Sequence, residues 1–307
     1  MLALRSIIAG AAVLASAVLS PVAAQRDTSG TRPRRFEWLT GIPGTLGGAA
    51  REVTRSKNVP TELGVVALTA VLIAADQHLY EQTRRAGTAI GLSPEHPEFA
   101  VRVGGMKLFN APTTISSAFY YLGDGWPTMM VAGAFYVTGK VRHNNRALRT
   151  ASEITQSLFS LGIITQSIKR MTGRQTPSSA TVPGGRWRPF TNFNEYMKNT
   201  PQYDAFPSGH LATAMSTITV IALNYPENRW VRPIGYALMT GLSFAMVNSG
   251  VHWVSDYPLA LAIGGTIGTV AVRRARRPAL VDGPHPGAEL RIEPILTPAA
   301  IGLHVRW

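Results

Sequence analysis

Two histidines and an aspartate stand where phosphoryl transfer would need them. Asp204-Ala-Phe-Pro-Ser-Gly-His210 ends a long polar loop and opens an apolar run, and Val251-His252-Trp-Val-Ser-Asp256 lies where another apolar run ends and a last one begins. In Pro207-Ser208-Gly209-His210, Ser208 suits a helix N-cap and Gly209 lets the backbone approach a ligand closely. The free amides of a first helical turn, with the positive end of the helix dipole, form an anion site. His210 beside it can serve as a general acid or base near neutral pH. The plain alternative is a capped helix start with a surface histidine. His252 and Asp256 are one helical turn apart and share a face. A carboxylate there can hold one imidazole nitrogen and leave the other free to attack. The alternatives are a structural pair at a helix start or a metal site. The metal reading lacks the partner cluster of carboxylates or thiolates that it needs.

The elements that must position these groups follow from the apolar runs. The sequence predicts an irregular arm over residues 25–61 with one short helix near Leu46–Arg55. A first helix is expected from Glu62 to Ala75, too short to span a bilayer comfortably, with Asp76 and His78 at its solvated end. Residues 85–111 read as loop, and 113–138 as apolar but broken by Gly123-Asp-Gly-Trp-Pro127, where Pro127 starts a fresh helix. Leu158, Leu161, Ile164 and Ile168 recur at helical spacing within an amphipathic helix over 152–168. The connection from Lys169 to Pro207 is long enough, at 39 residues, to be functional. Apolar runs at 210–225, 233–251 and 257–272 complete the set, and the tail Ile295–Trp307 alternates as a strand does. The fold expected is all-α: a bundle of about six core helices over residues 62–275, with the irregular N-terminal arm and a short strand-like C-terminal tail over 276–307.

Composition narrows the setting. Residues 1–24 have the charged start, apolar core and Val22-Ala23-Ala24 cleavage site of a secretory signal peptide, so the protein is expected to be exported. The chain has no cysteine and a net charge of +13, which suits an anionic lipid, an envelope polymer or a phosphorylated substrate. Nucleic acid is set aside because the basic residues are scattered among apolar helices without aromatic platforms. Two placements compete. The basic loops lie at the helix ends opposite the histidines, as the positive-inside rule would have it for an integral protein with an outward-facing site. A mean hydropathy of only +0.06 and the polar helix 152–168 favour a periplasmic protein, soluble or membrane-associated.

These residues resemble the type 2 phosphatidic acid phosphatase superfamily, which includes lipid phosphatases, nonspecific acid phosphatases and vanadium haloperoxidases. The resemblance covers roughly residues 62–275, with its motifs confined to 169–256. The first family motif, a lysine followed six residues later by Arg-Pro, appears as Lys169-Arg-Met-Thr-Gly-Arg174-Gln-Thr176-Pro177. The second, Pro-Ser-Gly-His, is intact. The third keeps His252 and Asp256 but has Ala245-Met246 in place of Ser-Arg. Trp187-Arg-Pro-Phe190 and Phe206 also look familial. The resemblance implies that His252 is the nucleophile, Asp256 its orienting carboxylate and His210 the acid and base. It further implies that Lys169, Ser208 and the Gly209 amide bind phosphate oxygens, with no metal and no cofactor, vanadate serving as a phosphate mimic. Thr176 and Met246 each remove a bidentate phosphate clamp. Arg174, or Arg186 and Arg188, is expected to supply charge instead. The expected activity is a metal-independent phosphatase acting on a phosphomonoester or a lipid (di)phosphate. The alternatives are a non-catalytic anion- or lipid-binding envelope protein and a vanadate-dependent haloperoxidase.

Overall fold

The computed structural model describes residues 32–95, 98–103, 106–276, 291–297 and 300–306. The signal peptide expected at 1–24 lies outside these residues. Contacts divide the chain into one large unit, up to Arg274, and a small one from Ala275.

In the large unit two short helices, α1 (Glu37–Thr40) and α2 (Ile42–Val53), precede α3 (Val59–Ala89). A hairpin of β1 (Glu98–Val103) and β2 (Met106–Pro112) leads to α4 (Ile115–Tyr121), α5 (Gly125–Val141) and α6 (Asn145–Thr172). After the long connection, which carries the small helix α7 (Phe193–Lys198), come α8 (Gly209–Asn224), α9 (Val231–Asn248) and α10 (Tyr257–Arg276). The described residues of this unit are predominantly helical, and α6 runs through their middle. Asn144 caps α6 by accepting from the Ala147 amide at 2.8 Å, and Gly173 ends it in the left-handed conformation. Two apolar clusters flank α6. One joins Phe135, Ile154, Val220 and Tyr225; the other joins Leu161, Leu211, Leu242, Met246 and Ile267. Each large apolar side chain so buried stabilises the fold by about 1.5–3 kcal/mol.

Several expectations change. The first helix does not stop at Ala75: α3 has 31 residues, about 46 Å of helix. The polar run after Ala75 is no stop signal because Asp76 turns inward onto Arg174 and is fully buried. Gln77 also donates to Glu81 one turn on, at 2.9 Å, and Tyr80 packs edge-on against Trp253. His78 is exposed but lies mid-helix. Residues 56–89 are long and apolar enough to cross a membrane, by length and composition. Their early residues Leu63, Val66 and Val71 are 64%, 65% and 67% exposed. The second change is the β1–β2 hairpin, which occupies part of the segment read as loop. The third concerns the small unit, where the tail is not one strand but an antiparallel pair, β3 (Arg291–Thr297) and β4 (Ala300–Arg306), with Leu296 opposite Ile301. The helix expected at 152–168 extends a turn or more at both ends, and the arm holds α1 and α2 where one short helix was expected.

Candidate active site

Four segments converge: the middle of α3, the end of α6 with the strand-like residues 173–176, the loop 203–210, and the turn 252–256. Backbone bonds thread the second of these between its neighbours. The Gln175 amide donates to Arg186 O and the Thr176 amide to Pro201 O, while Arg174 O accepts from Ala205 N at 3.0 Å. Trp253 Nε1 donates to Gln175 O at 2.8 Å and so ties the same segment to the turn that carries His252. Gly173 must be glycine here. Its φ is 57°, and a Cβ would lie 1.8 Å from Arg188 O.

His252 is buried. Its Nδ1 lies 2.7 Å from Ala205 O and 3.4 Å from Asp256 Oδ2. A carbonyl only accepts, so Nδ1 carries the proton and Nε2 presents its lone pair. Burial, above all, holds the His252 imidazole well below its usual pKa, and the charges of Lys169 and His210 act in the same direction. The ring is therefore neutral. Asp256 Oδ2 accepts from the Trp253 amide at 2.7 Å, and Oδ1 from Arg174 Nη1 at 2.8 Å. Burial raises its pKa to about 7 against the opposing pull of Arg174.

His210 occupies the first turn of α8, whose N-cap is Ser208, accepting from Leu211 N at 3.3 Å. The Ser208 amide donates to Asp256 O at 3.1 Å, which joins the helix start to the 252–256 turn. A Cβ at Gly209 would meet nothing within 4 Å, so the first turn of α8 borders open space at that point. The His210 ring centre lies 5.9 Å from that of His252 and 5.5 Å from that of Tyr120. Its Nε2 is 2.8 Å from Asp124 Oδ1, within ion-pair range though off the line of a hydrogen bond. Asp124 was not a candidate from sequence, where Gly123-Asp-Gly-Trp-Pro127 read only as a helix break. It holds the N-cap position of α5 yet makes no capping bond, which leaves its carboxylate to His210. Gly123 sets this approach: a Cβ on it would lie 2.8 Å from His210 Cα.

Lys169 Nζ bonds Asp204 Oδ2 at 2.7 Å, and the other Asp204 oxygen accepts from Tyr196 OH. The ammonium has two more protons to offer a ligand. The structure thus brings together His252, Asp256, His210, Ser208, Gly209 and Lys169.

Arg174 is a correction. Read as a phosphate ligand, its side chain is 0% exposed and its terminal nitrogens are committed to protein. Nη1 donates to Ser255 Oγ and Asp256 Oδ1, and Nη2 to Asp76 Oδ2 and Gly184 O, all within 2.8 Å. The Trp187 and Trp253 rings enclose it at 4.7 and 5.3 Å. Asp76, expected at a solvated helix end, is its second partner. Arg188 lies over the Tyr203 ring at 5.9 Å, and its Nη1 is 3.5 Å from the Tyr203 hydroxyl. Met246, at a family arginine position, is 0% exposed within the core, and Thr176, at the other, is buried and faces Ser178. Among the described residues no group of three or more His, Cys, Asp or Glu could hold a metal ion.

A helical fold built around a histidine pair is what the large unit presents for comparison. Residues 151–278 match the model of the PAP2 superfamily. A solved structure described as the first transmembrane PAP2 type phosphatidylglycerolphosphate phosphatase from Bacillus subtilis is similar at 15% identity. The likeness covers 78% of this chain and 96% of that one, with a TM-score of 0.36. No curated protein matches the chain.

Proposed function

We propose that the protein is a metal-independent phosphatase that hydrolyses a phosphomonoester or a lipid (di)phosphate through a phosphohistidine. The observation that carries this reading is the buried His252, with Nδ1 held by Ala205 O and its ring 5.9 Å from His210. In the first step His252 Nε2 attacks phosphorus, the bond to the leaving oxygen breaks, and His210 gives that oxygen a proton. In the second, His210 takes a proton from water, whose oxygen attacks phosphorus and breaks the P–N bond to release phosphate. Lys169, Ser208 and the Gly209 amide bind the non-bridging oxygens, and the Asp256 carboxylate offsets the positive charge that develops on the imidazole. The protein works outside the cytoplasm, associated with a membrane whose lipids could supply the substrate; the apolar, exposed start of α3 supports that setting.

A second reading has its own support. With Thr176 and Met246 at the family's arginine positions, and Lys169 already paired with Asp204, the site can hold an anion without turning it over.

Phosphate release from aryl and lipid phosphates, measured with and without a chelator, separates the two readings. Phosphatase activity predicts chelator-resistant release and an acid-labile phosphate trapped on His252. Release by His252→Ala at the wild-type rate would remove His252 as the nucleophile. No release by the wild type, with retained phosphate or vanadate binding, would leave the binding reading. Halide oxidation on adding vanadate and peroxide would point to a haloperoxidase instead.

A further inference from the structure

We infer that Asp76 and Arg174 form, with Asp256, a buried relay that sets the charge and position of the carboxylate behind His252, Asp76 acting as a positioning residue contributed by α3. The inference rests on the phosphatase reading for its kinetic consequences.

The contacts form one chain. Asp76 Oδ2 accepts from Arg174 Nη2 at 2.6 Å and from Ser255 Oγ at 2.5 Å, and Asp76 Oδ1 accepts from the Ser255 amide at 3.1 Å. Arg174 Nη1 reaches Asp256 Oδ1, and Asp256 Oδ2 faces His252 Nδ1. Asp76, Arg174, Ser255 and Asp256 are all fully buried. A neutral pair would need only one carboxylate, and burying a second adds a further desolvation cost. Two carboxylates around one guanidinium leave a formal surplus of one negative charge. That surplus lies beside the ring that turns cationic when Nε2 takes phosphorus. Asp76 therefore does two things. It fixes Arg174 by a second ion pair, so the guanidinium cannot swing towards a bound phosphate. It also draws on the charge of Arg174, so that Asp256 is not fully neutralised.

The charged groups around Asp256 come from every neighbouring element: Arg174 from the 173–176 segment and Lys169 from α6 act on it directly, Asp76 from α3 reaches it through Arg174, and His252 and Tyr257 face it from its own segment. His210 and Asp204 act on His252.

The test is the pH profile of kcat together with a ¹³C carboxyl titration of Asp256, in wild type, Asp76→Asn and Arg174→Gln. Asp76→Asn removes an anion, so Asp256 ionises at lower pH. The acid limb and the carboxyl titration both move down by about one pH unit, and kcat falls about 10-fold or more at unchanged KM. Arg174→Gln removes the cation and moves both readouts up. A purely structural role would lower the melting temperature and the active fraction but leave both midpoints in place, and that result would overturn the relay. Should Asp76→Asn fail to fold, Asp76→Glu keeps the charge: its acid limb stays at the wild-type pH while Arg174→Gln still moves. Equal shifts in both, or none, would refute the inference. The NMR titration needs no turnover, so an inactive wild type would sink the phosphatase reading and leave the relay to be judged on the Asp256 titration.

Discussion

His252 Nδ1 is held by the Ala205 carbonyl at 2.7 Å, and Asp256 stands farther off at 3.4 Å. The tautomer is thus set by a backbone group that no substitution removes, and the carboxylate is left to act through its charge. Asp256→Asn is expected to keep the Nδ1–H tautomer, as ¹⁵N NMR of His252 would show, while kcat falls at least ~100-fold. Loss of the tautomer together with the activity would mean that Asp256 orients the ring after all.

The two perturbed groups make stability and activity depend on pH in opposite ways. His252 is held below its reference value of 6.5, so its contribution to stability is present above that pH and is lost as pH falls through the depressed value. Asp256 is raised from 3.8 to about 7, so its contribution is present below 3.8 and is lost as pH rises through 7. Denaturant unfolding should show the gap between wild type and Asp256→Asn widening in the variant's favour between these two values and flat above them. Activity, which needs the carboxylate ionised, should rise with pH through an acid limb near 7.

Asp124 lies 2.8 Å from His210 Nε2 and is expected to support its proton transfer. Asp124→Asn should lower kcat for alkyl phosphates about 10- to 100-fold at near-constant KM. Aryl phosphates, whose leaving groups need less protonation, should lose much less. An equal loss for both classes would show that Asp124 does not serve the acid step.

Met246→Arg restores the family's residue type at a place that cannot use it. Met246 is 0% exposed in a cluster with Leu161, Leu211 and Leu242. The buried, unpaired guanidinium should destabilise the fold by more than about 3 kcal/mol and should not raise activity. Thermal unfolding and phosphate release on the same preparation check both expectations.

Gly173→Ala places a Cβ on a backbone with φ of 57°, facing Arg188 O. The left-handed conformation alone costs about 1 kcal/mol and the overlap adds more. A melting temperature within error of wild type would show that the 186–188 segment can move aside.

What could be read in the sequence was local. Ser208, Gly209 and His210 announce a helix start because capping chemistry acts over three residues, and His252 and Asp256 lie one turn apart. Lys169 and Met246 were found at family spacing, but spacing says nothing of surroundings: Met246 proved to be core. Arg174 was read as free to bind phosphate because nothing near it in the chain is acidic. Its partners lie 98 residues before it and 82 after. Asp76 was read as a helix end for the same reason, since its neutralising partner is remote, and this shortened α3 by half. Asp124 was hidden in a glycine-rich break whose closeness to His210 is a tertiary fact. The all-α class was legible from apolar periodicity. The two hairpins were not, being short pairs beside Gly and Pro runs.

The relay bears on how much of the chain makes a self-sufficient unit. The family match begins at residue 151, whereas Asp76 and Asp124 lie before it. A fragment limited to the matched span would carry every recognisable motif residue and still bury Arg174 against one carboxylate instead of two, with His210 facing no acid. For this protein the boundary of the recognisable family segment is not the boundary of the working part, and truncation to the former removes chemistry that no motif records.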